Sequence, residues 1–575
     1  MENRRGVSFF VFVFGLMIVF AQTAYAEKPG RILSNSEDWR DVYSVIMYGN
    51  LVGTPANFLV SDKHATLILN SIQKDSHIWA ISSKKVPYLI GYKNVLESKG
   101  YTAEEFVFDN ANIELAKKLD SISNFIVIDD SYGYNAISVA PYAAVTKSYV
   151  LFADKSNIKD IDKFLSATKI SRILIYGNVD REVKSALSKF NPEVINKDGD
   201  RFLNNIEIVK KYQEIKNSKQ AVLTNGEFIE QEIMSGSEPV LFIGTNNVPD
   251  VIREYVKKSS IQVGVLIGNE LVGTATIIRR QMGISVFVKF AQGARAPKGA
   301  ISQVEALDMF YLPIYSLNIE LESVKYNKAT NKLEVALRNT QSQAVYFIGT
   351  YSLTASDKSR QTVGDSVANF IDANEVKTVT YDVEPMADAE ISADVFIIYG
   401  ESKGSLEKEI RKTLQVQTVK VLDECDVKIS KVAFGKSSKS FYIGIENNGK
   451  VDCYADAEII DVLISGEKNT FGANKPIPLK SGASGNIIIK ADKMEPEDIA
   501  ENEKVKVRVY YGERENTLVK VIEGTYDLGV KSFDLISAFA VLPTSAVDYG
   551  FYLLLIVIVF LIIFVIRKRR KKKSD

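Results

Sequence analysis

From Asp38 to Phe290, short apolar runs rich in β-branched and aromatic residues alternate with segments of helical period. The runs are "NFLV", "VPYLIGY", "FIVID", "YVLFA", "RILIYG", "AVLTN", "PVLFIG" and "QVGVLIG". Between them stand patterns such as "DREVKSALSKF" and "VPDVIREYVKKS". Strand alternating with helix over this length predicts βαβ units and mostly parallel sheets. The alternation also repeats. Runs near Phe58, Val150 and Leu241 recur about 90 residues apart, and glycines follow apolar runs at Gly91, Gly177 and Gly268. The register predicts three related α/β modules at about 38–120, 121–212 and 213–290. The Gly/Ala/Pro-rich "AQGARAPKGA" then opens a linker, 291–312.

Past the linker the period falls to two. "SLNIELESVKYNKATNKLEVALRNTQSQAVYF" matches "CDVKISKVAFGKSSKSFYIGIENNGKVDCYA" at an offset of 108 residues, setting Val324 on Val432 and Asn339 on Asn447. The expectation is two all-β sandwiches of immunoglobulin type, 313–420 and 421–532, with six or seven short strands each. The same offset sets the only two cysteines, Cys425 and Cys453, on Leu317 and Val345. Both partners are apolar, so the cysteines are expected in the sandwich interior, as a disulfide rather than two buried thiols.

The termini differ from the body. Residues 1–26 read as a secretory signal peptide: Arg4 and Arg5, an apolar stretch from Val7 to Phe20, and small residues before cleavage after Ala26. After a juxtamembrane linker, 533–548, the stretch 549–566 is apolar throughout, and the basic tail 567–575 follows. This predicts a transmembrane helix in a lipid membrane, with the body extracellular and the tail cytoplasmic. Between the termini the body carries about −7, which disfavours nucleic acid as a partner. Two histidines, His64 and His77, and two cysteines exclude the usual zinc constellations. No metal or other cofactor is expected. No N-x-S/T sequon is present.

The second module is the most regular. "NAISVAPYAA", "SYVLFADKSNIKDIDKFL", "SRILIYGNVDREVKSAL" and "GDRFLNNIEIVKKY" resemble the cell-wall-binding repeat, type 2, of bacterial and archaeal surface proteins. The shared features are the Asn135-Ala136…Pro141-x-Ala143-Ala144 helix, an apolar strand, a strand end at Tyr176-Gly177-Asn178 and a closing Gly199-Asp200-Arg201-Phe202. The family's Thr-Ala pair is replaced near Asn205 and Ile206, and the first and third copies have lost further residues. The resemblance implies three modules about a pseudo-threefold axis that attach to envelope polymers. The two sandwiches are similar to generic adhesion-type modules of archaeal and bacterial surface proteins.

Asp129 and Asp130 end the run "FIVIDD", where many α/β enzymes keep catalytic groups. No nucleophile elbow, phosphate loop or H-E-x-x-H accompanies them. Aspartates there cap a following helix far more often than they cleave a bond, so no catalytic residue is assigned and the chain is not read as an enzyme. The candidate ligand-binding residues are Asp129, Asp130, Tyr132, Tyr134, Gly177, Asn178 and Arg201. Arg201 either meets an anionic polymer or pairs with Asp198 or Asp200.

The expected fold class is therefore α/β repeats, then two all-β immunoglobulin-like sandwiches, then one C-terminal transmembrane helix. The expected function is that of a membrane-anchored surface protein, archaeal in type. Its repeats would bind envelope polymer or surface-layer protein, itself included, and its sandwiches would form a stalk. An ectoenzyme with a cleft at Asp129 and Asp130, and a single-pass sensor or assembly partner, are the alternatives.

Overall fold

A computed structural model describes residues 28–531 apart from 269–270, 272–274, 291–292, 296–303, 307, 387–389 and 474. Two compact units divide the chain after Leu422.

The first unit opens with three four-stranded sheets, parallel throughout. The first is built from β1 (Arg31–Asn35), β2 (Ala56–Phe58), β3 (His77–Ser83) and β4 (Thr102–Phe108). The second holds β5 (Asn124–Ile128), β6 (Ser148–Phe152), β7 (Arg172–Tyr176) and β8 (Glu193–Ile195). The third holds β9 (Gln220–Thr224), β11 (Val240–Phe242), β12 (Val263–Ile267) and β13 (Ser285–Lys289), with β10 (Phe228–Ile229) outside it. Their orders are β2-β1-β3-β4, β6-β5-β7-β8 and β11-β9-β12-β13, the same topology three times.

Five helices join the modules: α1 (Trp39–Val52), α2 (Ala111–Ala116), α3 (Tyr134–Thr146), α4 (Arg201–Ile215) and α5 (Gln231–Ser235). Helices α1, α3 and α5 leave the first part of each module and pack pairwise against one another. Asp38 caps α1 by accepting the Arg40 amide, and Gly53 ends it at φ 65°. In α3 the fully buried Ala136, Ala140 and Ala143 lie at helical spacing, and their small side chains let neighbouring helices approach closely. A single apolar core, from Ile32 to Leu312, runs through all three modules.

This packing buries the outer edges of β6 and β11, whose outward backbone groups then need partners. One asparagine serves each. On α2, Asn112 Nδ2 donates to the Val150 carbonyl at 2.8 Å, and its Oδ1 accepts the Phe152 amide at 3.2 Å. On α4, Asn205 does the same for Val240 and Phe242 at 3.0 and 2.9 Å. Each carboxamide imitates a further strand. Removing one leaves a buried donor and a buried acceptor unpaired, at about 1–3 kcal/mol apiece. Asn205→Ala should therefore lower stability by roughly 2–6 kcal/mol in chemical denaturation. A loss below about 0.5 kcal/mol, the range of neutral surface changes, would show that the carboxamide is dispensable.

Two boundaries need correction. The first module begins at Arg31 rather than 38, because "RILSN" is its central strand. "VPYLIGY" is a loop, and its place in the sheet is taken by "HIWAISS". Pro87 and Gly91 suit a ladder poorly. Instead the Leu89 backbone hydrogen-bonds both ends of the Asn35 carboxamide, and Ile90 is 94% exposed. The expected linker also carries structure: Gly293–Arg295 pairs with Val304–Ala306, and Phe310–Tyr311 pairs with β10.

A β-sandwich completes the first unit, with a four-stranded and a five-stranded sheet around Tyr326, Leu333, Phe347 and Ile397. The second unit is a related sandwich. Ile319–Asn327, Lys332–Asn339 and Val345–Ala355 reappear 108 residues on as Val427–Gly435, Ser440–Asn447 and Cys453–Ile464. The bulge at Leu321/Ser323 returns at Ile429/Lys431. Asn339 and Asn447 each donate to two backbone carbonyls, Gln343 and Asp372 in one copy, Val451 and Leu479 in the other. In the second copy Lys520–Lys531 pairs antiparallel with Lys504–Gly512 and parallel with Val427–Gly435, joining the strands into one eight-stranded sheet.

The expected fold class is corrected on two counts. Strand outweighs helix, 41% to 23%, because the linking helices are short while the sandwich strands reach 12 residues. Among the described residues, moreover, no helix is long and apolar enough to cross a membrane. The expected span 549–566, like the signal peptide 1–26 and the tail 567–575, lies outside the described residues. The transmembrane helix is therefore not part of the observed architecture, and the single-pass membrane localisation built on it is withdrawn.

Cys425 and Cys453 form a disulfide with Cα atoms 5.8 Å apart. Their counterparts Leu317 and Val345 are buried in the first sandwich. Closing a 28-residue loop stabilises by about 3–4 kcal/mol in the chain-entropy model. Replacing both cysteines by alanine should lower the melting transition of the second unit and leave that of the first in place. Calorimetry that showed both transitions falling together would contradict this.

Candidate functional site

The seven candidate residues fall into three places. Asp129 and Asp130 follow β5 at its carboxyl end. Asp129 accepts the Ser131 amide at 2.9 Å, and burial raises its pKa. Asp130 pairs with Arg40 at 2.6 Å, and Arg40 also holds Asp38 at 2.6 Å, so these charges tie the second module to the first. Gly177 follows β7 at φ 75°, where a Cβ would lie 2.5 Å from the Asn135 side chain. Asn178 beside it is exposed.

Tyr132, Tyr134 and Arg201 form the third place, where the α/β head meets the first sandwich. Gly133 donates to the Pro313 carbonyl, and a Cβ there would strike Leu312 at 2.3 Å, so only glycine permits the approach. Tyr132 and Tyr134 both pack against Tyr315, at ring separations of 5.0 and 5.2 Å. Gln343 donates to the Tyr132 hydroxyl. The Arg201 guanidinium lies over the Tyr134 ring at 4.1 Å.

Arg201 does not face solvent. Its side chain is 7% exposed and ion-pairs with Glu407 and, at 3.3 Å, with Glu401. Asp200 caps α4 through the Phe202 and Leu203 amides and also accepts the Ser402 and Ser405 hydroxyls. Nearby, the Asn247 amide donates to the Glu407 carbonyl and the Glu409 amide to Asn246. The Gly-Asp-Arg of the second module is thus a joint to the sandwich. Neither Asp198 nor Asp200 is the ionic partner of Arg201 that its sequence neighbourhood suggested. Glu401, Ser402, Ser405 and Glu407 were missed because they stand about 200 residues downstream. Glu401 and Ser402 end the segment "FIIYGES", which carries no mark that separates it from its repeat "RVYYGER".

The electrostatics of the joint are lopsided, with one guanidinium among three carboxylates. Burial raises the pKa of Glu401 to about 8, and Glu407 and Asp200 add to the rise against the opposing pull of Arg201. Burial works against the charge on Arg201, but Glu401 and Glu407 outweigh it and hold the guanidinium charged.

No family model and no curated protein matches the chain. Among solved structures, it is similar to the ligand binding region of serine-glutamate repeat protein A of Enterococcus faecium. The identity there is 11% and the TM-score 0.14, over 19% of this chain and 99% of that one. It is also similar to the Salmonella enterica SafA pilin in complex with the SafB chaperone, at 12% identity and TM-score 0.13, over 38% and 98%. A third likeness is to red sea bream transglutaminase, at 10% identity and TM-score 0.13, over 46% and 34%. These likenesses are compatible with a surface or adhesion role and, at such TM-scores, carry no argument for one.

Between about pH 4.3, where an unfolded glutamate ionises, and about pH 8, the folded joint keeps a proton that the unfolded chain has lost. Its stability contribution therefore falls as pH rises through that window. Melting temperatures of the wild type from pH 5 to pH 9 should decline more steeply than those of Glu401→Gln; parallel curves would remove Glu401 from the account. Arg201→Met leaves buried carboxylates without their cation and should cost about 3–5 kcal/mol in the same measurements.

Proposed function

We propose that this chain is a surface-binding protein whose triplicated α/β head attaches to an envelope polymer or surface-layer component, with the tandem sandwiches as its spacer. The observation that carries the reading is the threefold use of one strand order about a shared helix trio. Repeated modules offer repeated surfaces, which suit a ligand of repeating chemistry and gain avidity from weak individual contacts. The disulfide supports an oxidising compartment. The family resemblance of the second module points the same way, and binding without turnover fits strand-end charges that are engaged in holding modules together. An ectoenzyme keeps one observation in its favour, the raised pKa of Asp129.

The test is co-sedimentation of residues 28–531 with isolated cell envelopes. Retention that survives Asp129→Ala and Asp130→Asn is expected. Failure to sediment would overturn the binding reading, and an envelope-degrading activity lost in Asp129→Ala would replace it with the ectoenzyme.

A further inference from the structure

At the amino ends of β7 and β8 the second module carries an ion pair that is open to solvent. Arg172 begins β7, Glu193 begins β8, and their side chains meet. The third module builds the same strands with Val263 and Phe287 at these places, so the fold itself does not require the pair. Two helices hold it in one position. On α3, the Tyr142 hydroxyl accepts from Arg172 Nη1 at 2.5 Å, and the guanidinium lies over the Tyr142 ring at 5.6 Å. On α4, Lys211 reaches the other oxygen of Glu193 at 2.5 Å. Burial opposes the charge on Glu193, but Lys211 and Arg172 outweigh it and hold the carboxyl below its ordinary pKa.

The pair remains within reach of a ligand. The Arg172 and Glu193 side chains are 39% and 36% exposed, and both line a hollow of about 300 Å³. That volume lies at the small end of ligand pockets and suits one sugar ring rather than a chain of them. Ile170 and Phe190 supply an apolar wall, and Ser171 and Asn191 stand beside it. Phe190 ends a one-turn 3₁₀ helix, Ser188–Phe190, and Asn191 follows at φ 49°, a left-handed conformation that asparagine tolerates better than most residues. That turn brings a ring and a carboxamide to the same hollow as the ion pair.

The bonds already made engage two of the five N–H groups of the guanidinium and one lone pair on each oxygen of the carboxylate. A sugar offers the matching surface. One face of its ring presents C–H groups to Phe190, and hydroxyls on adjacent carbons each donate and accept. One hydroxyl accepts from Arg172 while its neighbour donates to Glu193. An acidic sugar would bring its own carboxylate against that of Glu193.

We propose that this hollow binds a neutral pyranose through two adjacent hydroxyls, with Arg172 and Glu193 as the polar contacts and Phe190 against the ring. The inference rests on the reading of the head as polymer-binding and names a subsite and the sugar class it takes.

The test is saturation-transfer NMR of the full chain with the methyl glycosides of glucose, mannose and galactose, and with methyl glucuronide. The three neutral sugars cover adjacent hydroxyls in both trans and cis arrangement. At least one should bind, with transfer strongest at its ring C–H protons. Glu193→Gln keeps the shape of the side chain and should weaken that binding about tenfold, the share of a hydrogen bond to a charged group. Ser171→Trp, at an exposed position on the rim, should abolish it at an unchanged melting temperature. Binding of none of the neutral glycosides would overturn the site. So would binding indifferent to either substitution, or a preference for the glucuronide. If envelopes are retained and no sugar binds, the site falls and the surface-binding reading stands. If a sugar binds and envelopes are not retained, that reading falls and the site stands.

Discussion

A buried strand edge must find partners for its outward amides and carbonyls, and that constraint organises the head of this protein. Each sheet is only four strands wide, and two of the short strands, β6 and β11, turn an edge into the shared core. Water cannot reach those edges, and closing the sheets into barrels is impossible at this width. A carboxamide at the start of a helix solves the problem, since it carries one donor and one acceptor at the spacing of a neighbouring strand. The helices that close one module are thereby committed to the next, and the trio α1, α3 and α5 is drawn together. The threefold arrangement is a consequence of satisfying backbone groups as much as of burying side chains.

The joint between the head and the first sandwich obeys a second constraint, the cost of taking charge out of water. Arg201 is paired with Glu407 and has Glu401 beside it at 3.3 Å, while Asp200 is engaged by helix amides and serine hydroxyls. Aromatic rings from both sides, Tyr134 and Tyr315, enclose the guanidinium and exclude solvent. An ion network of this kind adds little net stability over a packed apolar contact, but it tolerates only one geometry. It therefore fixes where the sandwich sits on the head.

Much of this architecture could be read from residue patterns. The strands "FIVID", "YVLFA" and "RILIYG" stand where their apolar runs end in turn residues, and the 108-residue offset carries down to a shared β-bulge and a shared asparagine. "HIWAISS" escaped notice because its serines and histidine dilute the apolar signal, although Asn35 and Glu105 satisfy Ser82 within the sheet. "VPYLIGY" misled for the opposite reason: it is apolar, but Pro87 and Gly91 keep it out of the ladder.

Local period and internal repetition made the threefold α/β register, the tandem sandwiches and the interior placement of Cys425 and Cys453 legible in the residues alone. What Asn112, Asn205 and Arg201 are for emerged only from the folded chain. Their partners lie about 40 to 200 residues away, and no local pattern marks a carboxamide as a substitute strand or a guanidinium as a joint. Polar groups acquire their roles from what burial leaves unpaired around them, and burial is settled only when the chain has closed on itself.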